Sequence, residues 1–593
     1  MPTGQPGLGE LAQAAARVAE ARLAAPAVRL ADVVPAPERV QPDPDADFLL
    51  PETAVLRVTT DPAARDVAEQ LADLLRPATG YPLPVADTTD PQPRGGIALV
   101  LDPLLLAPAP DPAPRPAGRV PAPRTADGHG DGDGDGDGDG DGDGDGDGDG
   151  DCGGDRGGDG PGLGPEGYRL DVTADGVRIS AGSAAGLFHG VQTLRQLLPA
   201  TVESGTPVAG PWVLPGGTIV DRPRFGYRGA MLDVARHFFG VSDVLRVVDH
   251  LARYKLNHLH LHLTDDQGWR LAVDSWPRLA TVGGASEVGG GPGGHYTRDD
   301  YRRIVAYAAR RHVTVVPEID LPGHTNAALT AYPELAPDRV APPPYTGTEV
   351  GFSYVDPASE RTYAFVADVL AELAADTPGP YLHVGGDEAF KVPTAAYAGF
   401  VERVQRIVAG LGRTVVGWHQ IAPAAHVDGR VVQWWGTDGD DPGTAEAVRR
   451  GARLILSPAN HAYLDMKYAP ETPIGHDWAG LLDVHRAYAW DPGAHLAGVP
   501  AAAVLGVEAP LWTESVTSLA EIEFMLFPRL PAIAELGWSP RSTHDWAGFR
   551  DRLAGHGPRW TAAGITYHRA PEVPWPPTPT LPTPREPAHP VPD

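Results

Sequence analysis

A chain of 593 residues, of which 42% are hydrophobic and 21% charged, is typical of a soluble globular protein with more than one domain. The formal net charge of −29 argues against nucleic acid as a partner, because a phosphate backbone requires a basic face. The single cysteine, Cys152, excludes an intrachain disulfide, and no apolar run is long enough to predict a membrane span.

The first 27 residues predict an alanine-rich helix or tail. Charged residues interrupt this segment, so it lacks the continuous apolar core of a signal peptide. The sequence as written therefore predicts a cytoplasmic protein, whereas a misplaced start codon would leave secretion open.

Residues 28–221 predict a small α+β domain. Apolar alternation indicates strands at residues 54–59, 96–101, 168–173 and 176–180, and helical spacing indicates helices at 65–75 and 184–198. An insertion at about residues 105–165, first rich in Pro and Ala and then a Gly-Asp repeat, interrupts this domain. Calcium-binding repeats also alternate Asp and Gly, but they need an apolar residue in each repeat. The tract has none and is predicted to be disordered.

Residues 222–570 alternate short apolar strands with helices, before a proline-rich tail at 571–593. The strands are predicted at 227–233, 258–263, 313–318, 381–384, 415–418, 431–434, 454–457 and 504–511. Helices are predicted at 241–254, 297–311, 359–375 and 397–411. Strands that alternate with helices in this number predict an α/β fold, a (β/α)8 TIM barrel, as the main domain.

Polar and aromatic residues follow the carboxyl ends of these predicted strands, where a barrel builds its active site. The candidates are Arg236, Asp265, Asp320, His324, Asp387, Glu388, Trp418, Trp435, Trp512 and Glu514. Each has a plain structural explanation when taken singly: Arg236 could pair with Asp265, and His324 could be a buried core histidine. Their joint position at one face favours a binding or catalytic site.

The segment from Tyr381 to Glu388 is the most informative of these. Its apolar strand turns at Gly385 and Gly386 and ends in two adjacent carboxylates, Asp387 and Glu388. A helix cap would explain Asp387 but not Glu388. Paired acids in an apolar setting can adopt different protonation states, as acid-assisted bond cleavage requires.

Aromatic residues in the same region indicate a sugar as the ligand. Flat rings cover the C–H faces of a sugar while charged groups bind its hydroxyls. The aromatic candidates are Trp418, Trp435, Trp478 and Trp512, and the hydroxyl-binding candidates are Arg236, Asp265, Tyr463, Asp465 and Glu514. A metal site is disfavoured because the chain has no HExxH motif, and nucleotide chemistry is disfavoured because no glycine-rich loop precedes a lysine.

The segments that carry these residues resemble glycoside hydrolase family 20, the exo-acting β-N-acetylhexosaminidases, in their actinobacterial form. They are residues 231–239, 261–269, 317–324, 383–388, 416–419, 463–465 and 509–514. The resemblance spans about residues 28–570, apart from the Gly-Asp insertion.

The resemblance implies retaining hydrolysis in which the substrate's own acetamide is the nucleophile, with no cofactor and no metal. Adjacent residues have Cα atoms only about 3.8 Å apart, so Asp387 and Glu388 are expected on the same side of the sugar. By resemblance, Glu388 is the general acid and base, Asp387 orients the acetamide, and Tyr463 donates to its oxygen.

The remaining residues receive roles in the same way. The rings of Trp418, Trp435 and Trp512 would enclose the sugar, and Trp478 would lie near the leaving group. Arg236, Asp465 and Glu514 would bind hydroxyls, and Asp265 would steady Arg236. His324, with Asp320 behind it, would hold Glu388.

The expected substrates are N-acetylhexosaminide oligosaccharides or glycoconjugates, and the protein is expected to act as a monomer or homodimer away from nucleic acid and membranes. Two alternatives stay open at this point: release of a disaccharide by a lacto-N-biosidase-like enzyme, and a non-catalytic glycan-binding barrel. Preference for GlcNAc or GalNAc is also open.

Overall fold

The computed structural model describes residues 28–89, 92–106 and 162–577. The predicted N-terminal helix, most of the insertion and the tail from residue 578 onward lie outside these ranges. Among the described helices, none has the length and apolar character needed to cross a membrane.

The first domain is a mixed sheet backed by two helices. Its seven main strands run in the order β1-β9-β6-β7-β5-β3-β4, and β2 pairs separately with β8. The strands are β1 (Arg39–Pro42), β2 (Phe48–Leu49), β3 (Leu56–Thr59), β4 (Val85–Thr88), β5 (Gly96–Leu101), β6 (Tyr168–Thr173), β7 (Gly176–Ala181), β8 (Val213–Leu214) and β9 (Gly217–Asp221). The helices are α1 (Pro62–Thr79) and α2 (Ala184–Leu197).

The predicted elements of this domain correspond to β3, β5, β6, β7 and both helices. Strands β1, β2, β4, β8 and β9 were not predicted. Of these, β1 and β4 are edge strands with mostly exposed side chains and no apolar alternation, and β2 and β8 are only two residues long. Helix α1 shows why the helices were easier to predict: Val67, Leu71 and Leu75 repeat along one buried face. Asp61 caps its first turn by accepting from two backbone N–H groups.

The second domain is a closed barrel of eight parallel strands, which confirms the predicted (β/α)8 fold. The strands are β10 (Tyr227–Asp233), β11 (His258–His262), β12 (Thr314–Glu318), β13 (Tyr381–His383), β14 (Thr414–Trp418), β15 (Val431–Trp434), β16 (Arg453–Leu456) and β17 (Val504–Leu511). Strand β17 pairs with β10 and closes the barrel. Predicted and observed strand ends differ by at most one residue.

Helices of varied length surround the barrel. They are α3 (Val241–Arg253), α4 (Arg298–Arg310), α5 (Asn326–Ala331), α6 (Glu360–Asp376), α7 (Thr394–Gly410), α8 (Pro442–Arg449), α9 (Ala459–Ala462), α10 (Val484–Tyr488), α11 (Leu519–Leu526), α12 (Arg529–Trp538), α13 (Trp546–Ala554) and α14 (His556–Ala562). The four predicted helices correspond to α3, α4, α6 and α7.

The inside of the barrel is apolar at one level and ionic at the next. Tyr227, Val316, Val416, Val431 and Ile455 form an apolar layer of their own. Glu318 lies two residues after Val316 in β12, and Gln433 lies two residues after Val431 in β15, so their side chains again point inward. These join a fully buried polar layer directly beneath the carboxyl ends of the strands.

Buried ion pairs fix the first domain against the barrel. The Glu166 carboxylate accepts from Arg228 over 2.7 Å and from Asn257 over 3.1 Å. Lys255 Nζ lies 2.9 Å from Asp221 Oδ2. Because removing one partner would leave a buried charge unpaired, these contacts hold the two domains in one arrangement.

Ordered structure continues a short way past residue 570. Val573 is buried, and the Trp575 ring lies 5.8 Å from the ring of Trp560. The start of the proline-rich segment therefore belongs to the barrel surface.

Candidate active site

A cavity of about 430 Å³ opens at the carboxyl ends of the barrel strands. Its lining includes ten of the thirteen predicted site residues: Arg236, His324, Asp387, Glu388, Trp435, Tyr463, Asp465, Trp478, Trp512 and Glu514. The other three, Asp265, Asp320 and Trp418, lie behind this lining. The volume falls in the range of small-molecule sites.

The backbone after β13 brings the two acids into the cavity. Gly385 and Gly386 have φ of 64° and 107°, and a Cβ at Gly385 would collide with the Asp320 carboxyl group. Glu388 itself has φ of 45°, which is uncommon for a residue with a side chain. The side chain of Asp387 is 10% exposed and that of Glu388 is 23% exposed, so the two neighbours meet different surroundings.

Asp387 and Asp320 form a buried carboxyl pair. Burial raises the pKa of Asp387 to about 6, and burial beside Asp387 raises the pKa of Asp320 well above its usual range. A hydrogen bond between the two side chains favours the ionised form of Asp387. Asp320 also accepts from the backbone N–H of Gly386 over 3.0 Å. Asp320 is thus the neutral donor that steadies an ionised Asp387.

His324 joins the acid pair to the rest of the site. Its Nε2 lies 3.4 Å from Glu388 Oε2, and its Nδ1 lies 3.2 Å from Asp265 Oδ1. Burial disfavours the imidazolium, but the carboxylates of Asp265 and Asp387 raise the pKa of His324 well above its ordinary value. The residue behind His324 is therefore Asp265, and the expectation that Asp320 fills this place was wrong. Asp320 leaves β12 beside the glycine turn and reaches Asp387 instead.

Arg236 and the acids around it form a charged end of the cavity. Arg236 Nη2 lies 2.9 Å from Asp265 Oδ2, the contact expected from the sequence, and its Cζ lies 4.7 Å from the Trp512 ring centroid. Glu514 Oε2 lies 3.3 Å from His476 Nε2. These contacts hold fixed charges at one end of the cavity, where they can bind polar groups of a ligand.

Asp465 is the least satisfied group of this charged end. Its side chain is buried, and neither carboxyl oxygen has a hydrogen-bond partner among the described residues. Burial, together with the nearby Glu514 charge, raises the pKa of Asp465 to about 7. Buried polar groups without partners are uncommon, so these oxygens are available to a ligand.

Aromatic rings form much of the rest of the cavity lining. Trp435 lies 6.5 Å from Tyr463 and, nearly perpendicular, 6.0 Å from Trp478, measured between ring centroids. Tyr463 lies 6.4 Å from Trp512. Tyr463 is buried, whereas Trp478 is 54% exposed and stands at the mouth.

Trp418 does not reach the cavity surface. It is fully buried, its Nε1–H donates to Glu318 Oε1 over 2.8 Å, and its ring centroid lies 5.9 Å from that of Trp512. The expectation that it lines the cavity was therefore wrong, because Glu318 anchors its indole in the layer below. It supports Trp512 from behind.

Three residues of the cavity lining and the charged layer beneath it were not predicted from the sequence. Thr348, Val350 and His476 line the cavity from loops whose composition gives no signal. Glu318 accepts hydrogen bonds from His262 and, over 3.0 Å, from His260, and lies 2.8 Å from His383. Three alternate histidines in β11, one of them His258, were the available signal, since ionisable residues rarely fill a central strand.

His260, Glu318 and His383 lie close enough together to suggest a cation site. However, the Glu318 oxygens are already engaged by the indole N–H of Trp418 and by imidazoles. Burial opposes the charge on His260, but the Glu508 and Glu318 carboxylates raise its pKa to about 9, so it acts as a cation itself. Glu318 and these imidazoles therefore form a buried, hydrogen-bonded polar core beneath the cavity.

Comparisons with known proteins agree with this architecture. The model of glycosyl hydrolase family 20, catalytic domain, matches residues 225–396 and 390–541, and the model of its domain 2 matches residues 31–222. The beta-N-acetylhexosaminidase of Cellulomonas fimi is 44% identical over 411 residues, which cover 69% of this chain and 82% of that protein. The N,N'-diacetylchitobiase of Vibrio harveyi is 28% identical over 494 residues, which cover 63% of this chain and 54% of that protein.

Solved structures extend the likeness to nearly the whole fold. The family 20 beta-N-acetylhexosaminidase from Streptomyces coelicolor A3(2) is 52% identical, covers 93% of this chain and 100% of that chain, and superposes with a TM-score of 0.81. A variant of Streptomyces plicatus beta-hexosaminidase in complex with its product GlcNAc is 52% identical, covers 92% of this chain and 98% of that chain, and has a TM-score of 0.80. On its catalytic barrel, its preceding domain and these relatives, the chain belongs to glycosyl hydrolase family 20.

Proposed function

We propose that the cavity hydrolyses the terminal, non-reducing β-linked N-acetylhexosamine of a glycoside, with retention of configuration and with the substrate's own acetamide as the nucleophile. The family is retaining and is one of the substrate-assisted exceptions to the two-carboxylate mechanism. The relatives named as beta-N-acetylhexosaminidases support this activity, and the chitobiase supports chito-oligosaccharides as substrates.

Glu388 is the general acid. It protonates the glycosidic oxygen as the C1–O bond breaks, and it then takes a proton from the water that attacks C1. Its partial exposure supports this role, because the leaving group and the water must both reach the carboxyl group. The His324 cation beside it fixes the orientation of the carboxyl group.

Asp387 handles the acetamide. As the acetamide oxygen attacks C1, the nitrogen gains positive charge, and a carboxylate that accepts its N–H stabilises the oxazolinium ion. Tyr463 donates to the acetamide oxygen from the wall of the cavity. The hydrogen bond from Asp320 supports the role of Asp387, since it keeps this buried carboxyl group ionised near neutral pH.

The charged end of the cavity restricts hydrolysis to the terminal sugar of the chain. Arg236, Asp465 and Glu514 bind the hydroxyls of one terminal sugar. Arg236 and Asp465 are buried and the Glu514 side chain is only 15% exposed, so this end leaves no room for a second sugar beyond it. A disaccharide-releasing enzyme would need an open end here, and this alternative is not favoured. A non-catalytic barrel is not favoured either, because the relatives are enzymes.

One observation carries the proposal: two adjacent acids, Asp387 and Glu388, enter one small cavity from the same turn. The other carboxylates of its lining, Asp465 and Glu514, lie with Arg236 and His476 at the hydroxyl-binding end. No lining carboxylate is thus left to serve as a nucleophile opposite Glu388, and the acetamide takes that part.

The direct test uses the nitrophenyl β-glycoside of N-acetylglucosamine. Release of nitrophenol establishes the activity, and proton NMR of the first-formed sugar establishes the stereochemistry. The proposal expects the β-anomer to appear first. The α-anomer as first product, or no release at all, would contradict it.

A further inference from the structure

The mouth of the cavity has a concentration of exposed apolar surface. In the part of the chain that the structure describes, six large apolar side chains stand out as exposed, and three of them lie at this mouth or beside it. Trp478 is 54% exposed, Val350 is 40% exposed and Phe390 is 74% exposed. Clustered exposure of this kind is typical of a binding surface.

The chain itself holds Phe390 beside the general acid. Phe390 follows Glu388 by two residues, and its backbone N–H donates to the Glu388 carbonyl over 2.7 Å. Its ring lies over Gly351, where φ is 75° and where a Cβ would collide with the ring. The residue before this glycine, Val350, lines the cavity. The missing side chain of Gly351 therefore creates the space that the ring occupies.

Packing in the hydrophobic core does not explain the position of the Phe390 ring. Phe390 belongs to neither buried apolar cluster of the described residues and does not pack against them as a partly buried neighbour. A side chain kept in place by its backbone and by a glycine, yet left in solvent, costs hydration free energy without adding to the core. It is suited instead to a ligand.

The leaving group must emerge on this side of the cavity. In the proposed mechanism Glu388 protonates the glycosidic oxygen, so the bond that breaks lies at its exposed carboxyl group. Trp478 and Val350 line the cavity. Phe390 does not line it and lies outside it, beside Val350 and Gly351. Sugar rings present flat C–H faces that stack on exposed aromatic rings.

We propose that Phe390 is a platform for the second sugar of the leaving oligosaccharide, and that it makes this enzyme selective for substrates of three or more sugars. The inference rests on the proposed function, because the role of Glu388 fixes where the leaving chain begins. It assigns a specificity determinant outside the cavity to a residue that takes no part in the chemistry.

The experiment measures kcat/KM for the wild type, Phe390→Ala and Phe390→Trp. The substrates are the nitrophenyl glycoside, which has no sugar as leaving group, and the disaccharide and trisaccharide of β-1,4-linked N-acetylglucosamine. The alanine variant is expected to lose about three- to tenfold on the trisaccharide and less than about twofold on the two shorter substrates. The tryptophan variant is expected to retain the wild-type preference.

Leu104→Ala provides the matched control, because Leu104 is another exposed apolar residue but belongs to the first domain. It is expected to leave all three rates unchanged. Gel filtration of the same variants tests the other occupant of an apolar surface, a second copy of the chain. A dimer that dissociates in Phe390→Ala while the trisaccharide preference stays unchanged would overturn the proposal.

The outcomes distinguish failure of the proposed hydrolase function from failure of the Phe390 platform. A wild type that cannot cleave the nitrophenyl glycoside would refute the proposed function itself. A wild type that cleaves all three substrates, with a Phe390→Ala variant equal to it on the trisaccharide, would refute only the platform.

Discussion

Asp265 lies directly behind His324, with its Oδ1 3.2 Å from the ring Nδ1, while the Nε2 of the same ring faces Glu388. The other oxygen of Asp265 lies 2.9 Å from Arg236 Nη2. A single buried carboxylate thus contacts both ends of the cavity, the Glu388 end through His324 and the charged end through Arg236. Burial opposes its charge, but these cations hold the pKa of Asp265 far below its usual range.

Asp265→Asn tests this double role. The amide removes the negative charge that both cations share, so His324 releases Glu388 and Arg236 loses its orientation. Loss of kcat and a rise in KM are expected together, with a fall of about a hundredfold or more in kcat/KM. A change in only one of the two parameters would show that Asp265 serves a single end. Circular dichroism and the unfolding temperature separate this effect from loss of the fold.

Glu388→Gln tests the general acid. The variant cannot protonate the leaving oxygen, so kcat on N-acetylated chito-oligosaccharides is expected to fall by about a hundredfold or more. Nitrophenol is a better leaving group and needs less protonation, so the nitrophenyl glycoside should lose less. Equal losses on both substrates, or wild-type rates on the oligosaccharide, would remove Glu388 from this role.

The fall in activity on the acid side of the pH–rate profile (the acid limb) should reflect protonation of Asp387. Burial raises the pKa of this group to about 6, and the proposed role needs its ionised form. Activity should therefore fall as the pH drops below this value, because protonation removes the acceptor of the acetamide N–H. Asp387→Asn should lose kcat more than binding and should lack this limb in its residual activity.

Asp320 provides a matched pair of variants for the same limb. Its hydrogen bond to Asp387 favours the ionised form of that carboxyl group. Asp320→Ala removes the donor and should move the acid limb to higher pH, whereas Asp320→Asn keeps a donor and should move it less. Identical profiles for the two variants would contradict the hydrogen-bond account.

The buried carboxylate of Asp465 should destabilise the folded protein, although it contributes to substrate binding. Folding raises the pKa of this group from 3.8 to about 7, so the folded state binds the proton more tightly than the unfolded state. Stability attributable to this group therefore falls as pH rises from its unfolded pKa through its folded pKa, by at most about 4 kcal/mol. Asp465→Asn should raise the unfolding temperature at about pH 8, have little effect at about pH 4, and weaken substrate binding.

That pH dependence is the diagnostic feature of the Asp465 prediction. Thermal unfolding of wild type and variant across the pH range measures it, and KM on the nitrophenyl glycoside measures the accompanying loss of a hydroxyl acceptor. A stability gain that is the same at every pH would indicate a packing effect rather than the carboxyl group.

The barrel and most of the cavity lining could be predicted because their signals are local. Buried parallel strands such as β12 and β17 are short apolar runs, and the residue that follows each one must face the same end of the barrel. The adjacency of Asp387 and Glu388 likewise constrains geometry without any knowledge of distant contacts.

The remaining relationships depend on contacts between distant parts of the chain. Whether Asp265 or Asp320 stands behind His324 is decided by the glycine turn after β13, which leaves room for the Asp320 carboxyl group beside Asp387. Trp418 is the last residue of β14 and Trp512 directly follows β17, and the hydrogen bond to Glu318 holds Trp418 below the cavity surface. No single-sequence pattern encodes these choices.

In the proposed mechanism the nucleophile belongs to the substrate, so chemical changes to the acetamide test the mechanism. Nitrophenyl glycosides whose N-acetyl group carries none, one, two or three fluorine atoms differ in the nucleophilicity of the carbonyl oxygen and little in size. If that oxygen attacks C1, kcat/KM should fall steeply along the series, by about a hundredfold or more overall. Rates that stay level along the series would contradict the account and require a nucleophile from the protein.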